Sequence, residues 1–283
     1  MKLLDGKSIA EAMLSRLEAD IRILGFRPGL GVVLAGDDAA SHLYVSLKER
    51  AADRIGIRVE KRFFLDMTPQ TEIEAAIAAF NADENIHGIL VQLPLPAHLS
   101  TDEVIACIRP DKDADGFHPE NEARLSRGEE YLPPVFPQAI VELIRASGEM
   151  LHGKRGVVVG NSYRFGDVMC RMLEREDVRA VHIPCVECNS SQGLDALKRA
   201  NIVVSACGKE RTIVGTMLLP GAIVIDGGIV KDGMRVVGDV DRASVEELEG
   251  WLSPVPGGVG PVTIARLLEN VVEAAKRQKA RRG

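Results

Sequence analysis

Short apolar segments alternate with amphipathic helical segments along most of the chain, and this alternation restricts the fold more than any other feature of the sequence. In the first half, residues 30–35, 59–65 and 88–93 have the length and composition of buried strands. Helical patterns lie between them over 40–55 and 70–81. This order of strand, helix, strand and helix predicts a mostly parallel sheet with helices on its faces.

The second half of the chain repeats the alternation after a helical pattern over 137–147. Short β-branched strands with intervening helices are typical of a doubly wound nucleotide-binding sheet. The predicted fold class is therefore α/β with two domains: an N-terminal α/β domain with a mostly parallel sheet, and a C-terminal Rossmann-like, doubly wound domain. The strands predicted for the second half are 156–159, 179–183, 201–205 and 222–226.

Two stretches rich in proline or glycine divide the pattern. The polar segment 109–134 interrupts the first alternation, and the first domain boundary is placed there. The segment 253–261, Ser-Pro-Val-Pro-Gly-Gly-Val-Gly-Pro, is incompatible with a helix or a central strand and must form a fixed loop. If the long helix after it returns to the first domain, the loop lies at a cleft between the domains, where ligands commonly bind. The predicted domains are 1–133 together with 261–283, and 134–260.

Length and charge disfavour several classes of protein. At 283 residues the chain is about twice the usual size of a single domain. Its 35 basic and 41 acidic residues give a formal charge of -6, which disfavours nucleic acid as a partner because phosphate binding needs a positive surface. The longest uncharged stretches, near 212–225 and 250–265, contain Pro and Gly and are too short to cross a membrane. Since residues 1–6 lack a signal-peptide pattern, we expect a cytoplasmic protein.

The cysteines do not form a recognisable framework. There are 5 of them, an odd number in a large chain, which argues against a set of structural disulfides. Cys185 and Cys188 have the CxxC spacing of a metal or redox site, but a metal would need further ligands. The candidates for these are Cys207, Cys170 and His182. A lone CxxC in a loop is more often unligated, so no metal site is expected.

Three groups of polar residues are candidates for chemistry. Tyr44 and Lys48 would share one helix face, either as a stacking platform beside a proton donor or as a surface with a snorkelling lysine. Gln92 follows an apolar strand at the carboxyl edge of the predicted sheet, where it either contacts a ligand or bonds to backbone in the core. Asp113 and Asp115 follow a proline-bounded turn. A carboxylate there either accepts two parallel hydrogen bonds from an amidine-like edge or only stabilises a loop.

These groups belong to four longer segments that occur in the order and at the spacing of the motifs of one enzyme family. The segments are 36–48 (GDDAASHLYVSLK), 88–96 (GILVQLPLP), 110–117 (PDKDADGF) and 254–261 (PVPGGVGP). Together they closely resemble the bifunctional methylenetetrahydrofolate dehydrogenase/methenyltetrahydrofolate cyclohydrolase family. The resemblance covers essentially the whole chain.

The resemblance implies an enzyme of one-carbon metabolism that oxidises 5,10-methylenetetrahydrofolate with NADP or NAD and hydrolyses the methenyl cation to 10-formyltetrahydrofolate. By matching position, Lys48 is the central acid/base, Tyr44 packs against the substrate and Gln92 supports the lysine. Asp115 holds the pterin edge. The matching residues that line the folate site are Val91, Leu93, Pro256, Gly257 and Gly260. The residues that contact the nicotinamide nucleotide are Gly160, Asn161, Ser162 and Ile229. The family also implies a homodimer.

The second half departs from the family pattern at several positions. Asn161 replaces the usual arginine, and the bulky Phe136 replaces a threonine near the nicotinamide, so that it either packs elsewhere or occupies that position. Where the family has residues that bind the 2′-phosphate of NADP, this chain has the segment 185–188 (CVEC). An acid there would repel a phosphate and suit a free ribose hydroxyl. NAD is therefore more plausible than NADP, unless Arg164 or Arg155 compensates.

Three functional interpretations remain at this point. The chain is a cyclohydrolase that keeps the coupled dehydrogenase; or it is a monofunctional cyclohydrolase whose second domain is a scaffold and dimer interface; or it is a non-catalytic folate-binding protein. The lysine at position 48 argues against the third interpretation, because binding alone needs no lysine there.

Overall fold

The computed structural model describes residues 1–129, 131–232 and 235–281. The chain divides into two compact units: a first unit of residues 11–135 with 264–283, and a second unit of residues 1–10 with 136–263. The strands, numbered in chain order, are β1 (Lys2–Leu3), β2 (Gly29–Ala35), β3 (Arg58–Phe64), β4 (Gly88–Val91), β5 (Arg155–Gly160), β6 (Arg179–Pro184), β7 (Ile202–Ala206), β8 (Ile223–Asp226), β9 (Val230–Asp232), β10 (Arg235–Val237) and β11 (Trp251–Leu252). The helices are α1 (Gly6–Leu24), α2 (Ala39–Ile55), α3 (Gln70–Ala82), α4 (Thr101–Ala106), α5 (Pro119–Ser126), α6 (Val135–Ala146), α7 (Tyr163–Glu174), α8 (Ser191–Lys198), α9 (Arg242–Val245) and α10 (Val259–Ala280).

The first unit is built on a parallel sheet of three strands in the order β3-β2-β4. Every residue of the central strand β2 is buried, as expected of a strand covered on both faces. The helix α3 packs on this strand so closely that a Cβ at Gly31 would lie 2.8 Å from the Phe80 ring. Glycine at that position therefore lets the helix and the sheet approach each other.

The second unit contains a parallel sheet of six strands in the order β6-β5-β7-β8-β11-β1. The chain enters at β5, moves outward to β6, and then crosses back to β7 on the other side of β5. In such doubly wound sheets the ligand crevice lies at the carboxyl ends of the strands where the direction of winding changes. Here that switch point lies between β5 and β7.

The observed division of the chain differs from the predicted one at the N-terminus. Residues 1–10 belong to the second unit, whereas the sequence analysis places them with the first domain. The cause is the strand β1, in which Lys2 and Leu3 pair with Trp251 and Leu252 of β11. Both strands have only two residues, which is too short for a periodic pattern to be visible in the sequence.

Two further observations concern membranes and metals. Among the described helices, none combines the length and the apolar character needed to cross a bilayer. In the described part of the chain, no three His, Cys, Asp or Glu residues come together in a way that could hold a metal ion.

Candidate active site and nucleotide-binding edge

The helix that carries Tyr44 and Lys48 begins just beyond the carboxyl end of β2. Gly36, with φ +87°, turns the chain out of the strand. Asp38 then caps α2, because its Oδ2 accepts hydrogen bonds from the backbone N–H of Ser41 at 2.8 Å and from the Ser41 hydroxyl at 2.9 Å. Tyr44 and Lys48, both half-buried, lie one turn apart on the same helix face.

Gln92 is placed at the carboxyl end of β4 and holds the Lys48 ammonium. Its backbone N–H donates to the Val33 carbonyl at 2.9 Å, which continues the strand pairing by one residue. The side-chain Nε2 donates to the Leu93 carbonyl at 2.7 Å, so the amide oxygen must face the other way. That oxygen accepts from Lys48 Nζ at 2.9 Å. Val91 and Leu93 flank Gln92 on either side, Val91 as the buried last residue of β4.

The loop that carries Asp115 runs beside the same strand. Asp113 forms an isolated parallel bridge with Ile89 of β4. The buried Asp113 carboxylate accepts from the backbone N–H groups of Gly116 at 3.0 Å and His118 at 2.8 Å, and from Asn121 Nδ2 at 3.0 Å. The first of the two loop aspartates is thus a structural residue, and it fixes the backbone on either side of Asp115.

The final helix α10 supplies a second anchor for this loop. Asn270 Nδ2 donates to the carbonyls of Ala114 and Pro133, both at 3.0 Å. Asn270 is buried, and the sequence analysis did not select it. Its only signal is a polar residue within the apolar stripe of a helix, which by itself does not separate a functional asparagine from a structural one.

Burial sets the electrostatics of the cluster formed by Lys48, Gln92 and Asp115. Desolvation lowers the pKa of Lys48 below its ordinary value, although the nearby Asp115 charge opposes that shift. Burial raises the pKa of Asp115 to about 6; the Lys48 charge opposes this and the Asp113 charge adds to it. Burial also raises the pKa of Tyr44. The cluster therefore contains an amine that gives up a proton more readily than a free lysine, beside a carboxyl group.

The turn after β5 has the geometry of a phosphate-binding turn. Ser162 caps α7, since its Oγ accepts from the Phe165 N–H at 3.2 Å. The start of this helix is the positive end of its dipole, which favours an anion. Asn161 Nδ2 donates to the Cys207 carbonyl at 3.0 Å and so ties this turn to the end of β7. Ile229, which is 48% exposed, follows the neighbouring strand β8.

The CxxC segment lies at the end of β6 and contains one half of a disulfide. Cys185 is bonded to Cys207, while Cys188 is buried as a free thiol. The sequence analysis argued against a set of structural disulfides and did not identify this single bond, which forms because the folded sheet brings together two residues that are 22 positions apart. Glu187 is exposed in the short 3₁₀ helix that follows β6. Arg155 starts β5, at the opposite edge of the sheet, and therefore lies too far away to compensate Glu187.

Phe136 packs on the same edge of the second unit. Its ring lies 5.4 Å from the ring of Phe165 in the first turn of α7. A Cβ at Gly227, the residue after β8, would lie 2.9 Å from Phe136 Cζ. The phenylalanine therefore occupies space between the dinucleotide turn and the end of β8, rather than packing in a distant part of the unit.

Two buried aspartates that the sequence analysis missed shape this edge. Asp226 accepts from the backbone N–H groups of Gly228, Asp239 and Val240 at 2.9–3.1 Å. Asp239 accepts from Ser205 Oγ at 2.7 Å, from the Cys207 N–H at 2.6 Å and from the Lys209 N–H at 2.9 Å. Burial raises the pKa of Asp226 to about 6. Asp226 ends the apolar strand β8 and Asp239 lies in a loop after β10, and neither position marks a buried acid in the sequence.

Residues 253–258 form a tight loop, but the last three residues of the Gly/Pro segment, 259–261, already lie in the first turn of α10. The expectation that all of 253–261 is a loop is therefore wrong at its end, because a proline is tolerated in the first turn of a helix, where its missing N–H would have no helical partner. Gly257 has φ +106°, a left-handed conformation that favours glycine. A Cβ at Gly258 would lie 2.6 Å from the Pro254 carbonyl oxygen, so this glycine is also required. Pro256 is exposed, and a Cβ at Gly260 would meet no atom within 4 Å. Pro256, Gly257 and Gly260 belong to the second unit, whereas Lys48, Gln92 and Asp115 belong to the first.

Family models match both halves of the chain. Residues 4–115 match the catalytic domain of tetrahydrofolate dehydrogenase/cyclohydrolase, and residues 134–279 match the NAD(P)-binding domain of the same enzymes. A protein of Pelobacter propionicus named bifunctional protein FolD is 42% identical over 284 residues, which cover 98% of this chain and 99% of that protein. A FolD protein of Exiguobacterium is 41% identical, over 97% of this chain and 99% of its own length.

Solved structures agree with the sequence matches. The FolD enzyme of Campylobacter jejuni superposes with a TM-score of 0.90 at 36% identity, covering 98% of this chain and 99% of that chain. The methylenetetrahydrofolate dehydrogenase-cyclohydrolase of Trypanosoma brucei, solved with NADP and an inhibitor, superposes with a TM-score of 0.91 at 34% identity, covering 96% of each chain.

Proposed function

Because the chain belongs to the tetrahydrofolate dehydrogenase/cyclohydrolase family, we propose that Lys48 is the group that moves protons in its hydrolytic step. The chain is an enzyme of one-carbon folate metabolism with two activities. It oxidises 5,10-methylenetetrahydrofolate with a nicotinamide nucleotide, and it hydrolyses the methenyl cation to 10-formyltetrahydrofolate.

The hydrolytic step needs one group that first accepts and then donates a proton. Water adds to the central carbon of the amidinium-like methenyl cation and loses a proton, and a ring nitrogen then leaves and gains one. A single positioned base can do both. The Lys48 amine suits this task because burial lowers its pKa toward neutrality and the Gln92 amide oxygen holds it at 2.9 Å. A bound cationic substrate would lower the pKa of Lys48 further.

Asp115 is the proposed anchor for the pterin. The 2-aminopyrimidinone edge of a pterin offers two parallel N–H donors, and a carboxylate accepts both. With a pKa of about 6, Asp115 is mainly ionised at neutral pH. Its negative charge also favours the cationic substrate. In the same proposal Tyr44 packs against the substrate, and Val91 and Leu93 line the folate site of the first unit.

The single observation that carries this assignment is the hydrogen bond between the half-buried Lys48 and the buried Gln92, and replacing the lysine tests it. Lys48→Met should lower the rate of methenyl hydrolysis about 100- to 10000-fold, the contribution of general acid–base catalysis. Lys48→Arg should be equally inactive, since a guanidinium keeps its proton. Decay of methenyltetrahydrofolate absorbance measures the rate, and equilibrium titration measures folate binding.

The matched control for Lys48 is Lys61→Met. Lys61 Nζ bonds to Glu49 at 2.7 Å in a partly exposed ion pair of the same unit, and ion pairs that solvent reaches contribute little to stability. This variant should hydrolyse at the parental rate. If Lys48→Met binds folate and still hydrolyses methenyltetrahydrofolate at a comparable rate, the role of Lys48 is refuted.

For the nucleotide, we propose contacts from Gly160, Asn161, Ser162 and Ile229, and a preference for NAD over NADP. Glu187 follows β6, where the ribose hydroxyls of a dinucleotide lie in this kind of sheet, and its charge would repel a 2′-phosphate. Arg155, at the other end of β5, does not neutralise it. The ratio of kcat/KM for NAD to that for NADP should exceed one in the parent enzyme.

The charge at position 187 can be tested separately from the fold. Glu187→Ser should shift the ratio of kcat/KM toward NADP by about tenfold, the effect of about 1.4 kcal/mol. Glu174→Ser, which removes an exposed charge at the end of α7, should leave the ratio unchanged. A parent enzyme that prefers NADP, with the same ratio in Glu187→Ser, would contradict the proposal.

We also propose a cytoplasmic homodimer that does not bind nucleic acid. The formal charge of -6 disfavours a polyanionic partner. Val181, on the edge strand β6, is 52% exposed and is available for a contact with a second copy. Sedimentation of the purified enzyme measures its oligomeric state directly.

A further inference from the structure

We propose that Cys185 and Cys207 are a reversible redox pair whose oxidation lowers the affinity of the second unit for its nicotinamide nucleotide. This inference rests on the proposed position of the nucleotide at the carboxyl edge of the second sheet. It adds to that position a site of cysteine oxidation and states that oxidation weakens nucleotide binding.

The disulfide lies across the end of the strand that begins the nucleotide site. In the sheet, β5 lies between β6 and β7, and its last residue, Gly160, is in register with Pro184 on one side and Ala206 on the other. Cys185 and Cys207 are the residues that follow those two partners. Their Cα atoms are 5.9 Å apart, so the two loops converge just beyond Gly160.

A nucleotide bound at this switch point would have to follow the same path. Dinucleotides lie across the carboxyl ends of doubly wound sheets, with the phosphates at the turn after the first strand and the two halves on either side. A covalent link from the β6 loop to the β7 loop crosses that path. It also draws in Asn161, whose Nδ2 donates to the Cys207 carbonyl at 3.0 Å. The oxidised form therefore narrows the crevice, and reduction releases the β6 loop.

The two sulfurs differ in a way that allows exchange. Cys185 is half-buried and reachable from solvent, whereas Cys207 is 9% exposed. Reduction by an external dithiol starts when its thiolate sulfur attacks Cys185 Sγ, and the electron pair of the broken S–S bond goes to Cys207 Sγ, which takes up a proton. The second thiol of the dithiol then displaces Cys185 as a thiol and leaves the reagent as a cyclic disulfide. Two electrons and two protons pass from the dithiol to the protein.

Contacts from neighbouring residues hold Cys207 in place, and these contacts do not depend on the disulfide. The Cys207 N–H donates to the buried Asp239 carboxylate at 2.6 Å, and the Ser205 hydroxyl lies 3.9 Å from Cys207 Sγ. These contacts hold the β7 side of the pair to its own strand. Among the residues that the structure describes, no carboxylate holds Cys185 as Asp239 holds Cys207, so the β6 side is the side expected to move on reduction.

The test compares thiol content with nucleotide affinity. After treatment with oxidised glutathione and removal of the reagent, mass spectrometry of protein alkylated under unfolding conditions should find 3 free thiols, at Cys107, Cys170 and Cys188, and after dithiothreitol all 5. Calorimetric titration with NADH and with NADPH should give a Kd at least about tenfold higher in the oxidised protein, a difference of about 1.4 kcal/mol. Cys185→Ser should bind as tightly as the reduced parent in either condition.

The control variant is Cys188→Ala, which removes a buried thiol three residues from Cys185 but leaves the pair intact. It should respond to oxidation as the parent does. Five free thiols after oxidation, an equal Kd in the two states, tighter binding in the oxidised state, or no binding in either state would each overturn the inference. Methenyl hydrolysis, measured in both states, separates this result from a failure of the Lys48 assignment, because Lys48 lies in the other unit.

Discussion

The two units differ in the groups that are proposed to bind ligand: side chains in the first unit and backbone N–H groups in the second. In the first unit the proposed chemistry depends on three side chains, Lys48, Gln92 and Asp115, each held by hydrogen bonds or by the loop that carries it. In the second unit the turn after β5 offers backbone N–H groups, which every residue type except proline supplies. Side chains in the turn after β5 can therefore be replaced without loss of the binding groups, whereas Lys48, Gln92 and Asp115 cannot. This difference fits the three family motifs of the first unit being intact, while Asn161 and Phe136 of the second unit depart from the pattern.

The largest expected effect comes from replacing Gln92, which holds the Lys48 ammonium, while Lys48 itself is kept. Gln92→Leu takes away the acceptor that holds Nζ at 2.9 Å, and the kcat of hydrolysis should fall about 100-fold with little change in KM, the low end of what proton-transfer groups contribute. Gln92→Glu tests positioning against mere packing. A carboxylate beside the ammonium raises the pKa of Lys48, so the rising limb of the pH–rate profile should move to higher pH.

The matched control replaces a glutamine on the surface. Gln192→Leu in α8 is exposed and should change neither kcat nor the pH profile. Parental kcat and an unshifted profile in both Gln92 variants would show that the amide is only a packing residue.

The next largest effect is expected at the turn after β5, where the backbone geometry should control the KM for the nucleotide. A Cβ at Gly166 would lie 2.3 Å from Cγ of His182, whose Nε2 lies 3.0 Å from the Gly160 carbonyl oxygen. Gly166→Ala should therefore displace the ring, disturb the turn after β5 and raise the KM for the nucleotide about tenfold, or about 1.4 kcal/mol. Methenyl hydrolysis should stay unchanged, because its proposed residues lie in the first unit.

The double variant Gly166→Ala/His182→Ala makes this test specific. Removing the imidazole makes room for the new methyl group, so the KM for the nucleotide should return toward the parental value. If the double variant is as weak as the single one, the space between Gly166 and His182 is not what shapes the turn.

The comparison also explains which parts of the molecule could be predicted from the sequence. The strands β2, β4, β5 and β7 were predicted within a few residues, because each is a buried apolar run bounded by helical patterns. The cluster around Lys48 could be predicted because its residues lie on or directly after such elements. β1 and β11 could not, since two residues show no period.

Other features depend on strand order and not on local pattern. Cys185 pairs with Cys207 because β6 and β7 lie on either side of β5, an arrangement that no spacing in the sequence reveals. In the sequence Asp226 looks like the polar end of a strand and Asp239 like an ordinary loop acid. They become buried because the segment after β8 folds back, so that backbone N–H groups surround each carboxylate.

The smallest expected effect is a pH dependence of the free energy of unfolding, to which one buried aspartate in each unit should contribute. Burial raises the pKa of Asp115 and of Asp226 to about 6, above the ordinary value of 3.8. The folded state then binds more protons than the unfolded state between about pH 4 and pH 6, so the free energy of unfolding rises as the pH falls through this range. Each group should contribute about 1 kcal/mol of added stability between pH 7 and pH 5.5. Urea unfolding at both pH values measures the change.

Asparagine substitutions assign this pH dependence to its sources. Asp226→Asn should lose its share of the change between pH 7 and pH 5.5 whatever its absolute stability, and Asp115→Asn should lose the other share. Asp195→Asn, an exposed residue of α8, should behave as the parent. An undiminished change in Asp226→Asn would mean that its carboxyl group is ionised throughout, held so by the three N–H donors and not neutralised by burial. Asp226 would then carry a fixed negative charge. The backbone N–H groups of the turn after β5 would have to outweigh that charge to attract a phosphate.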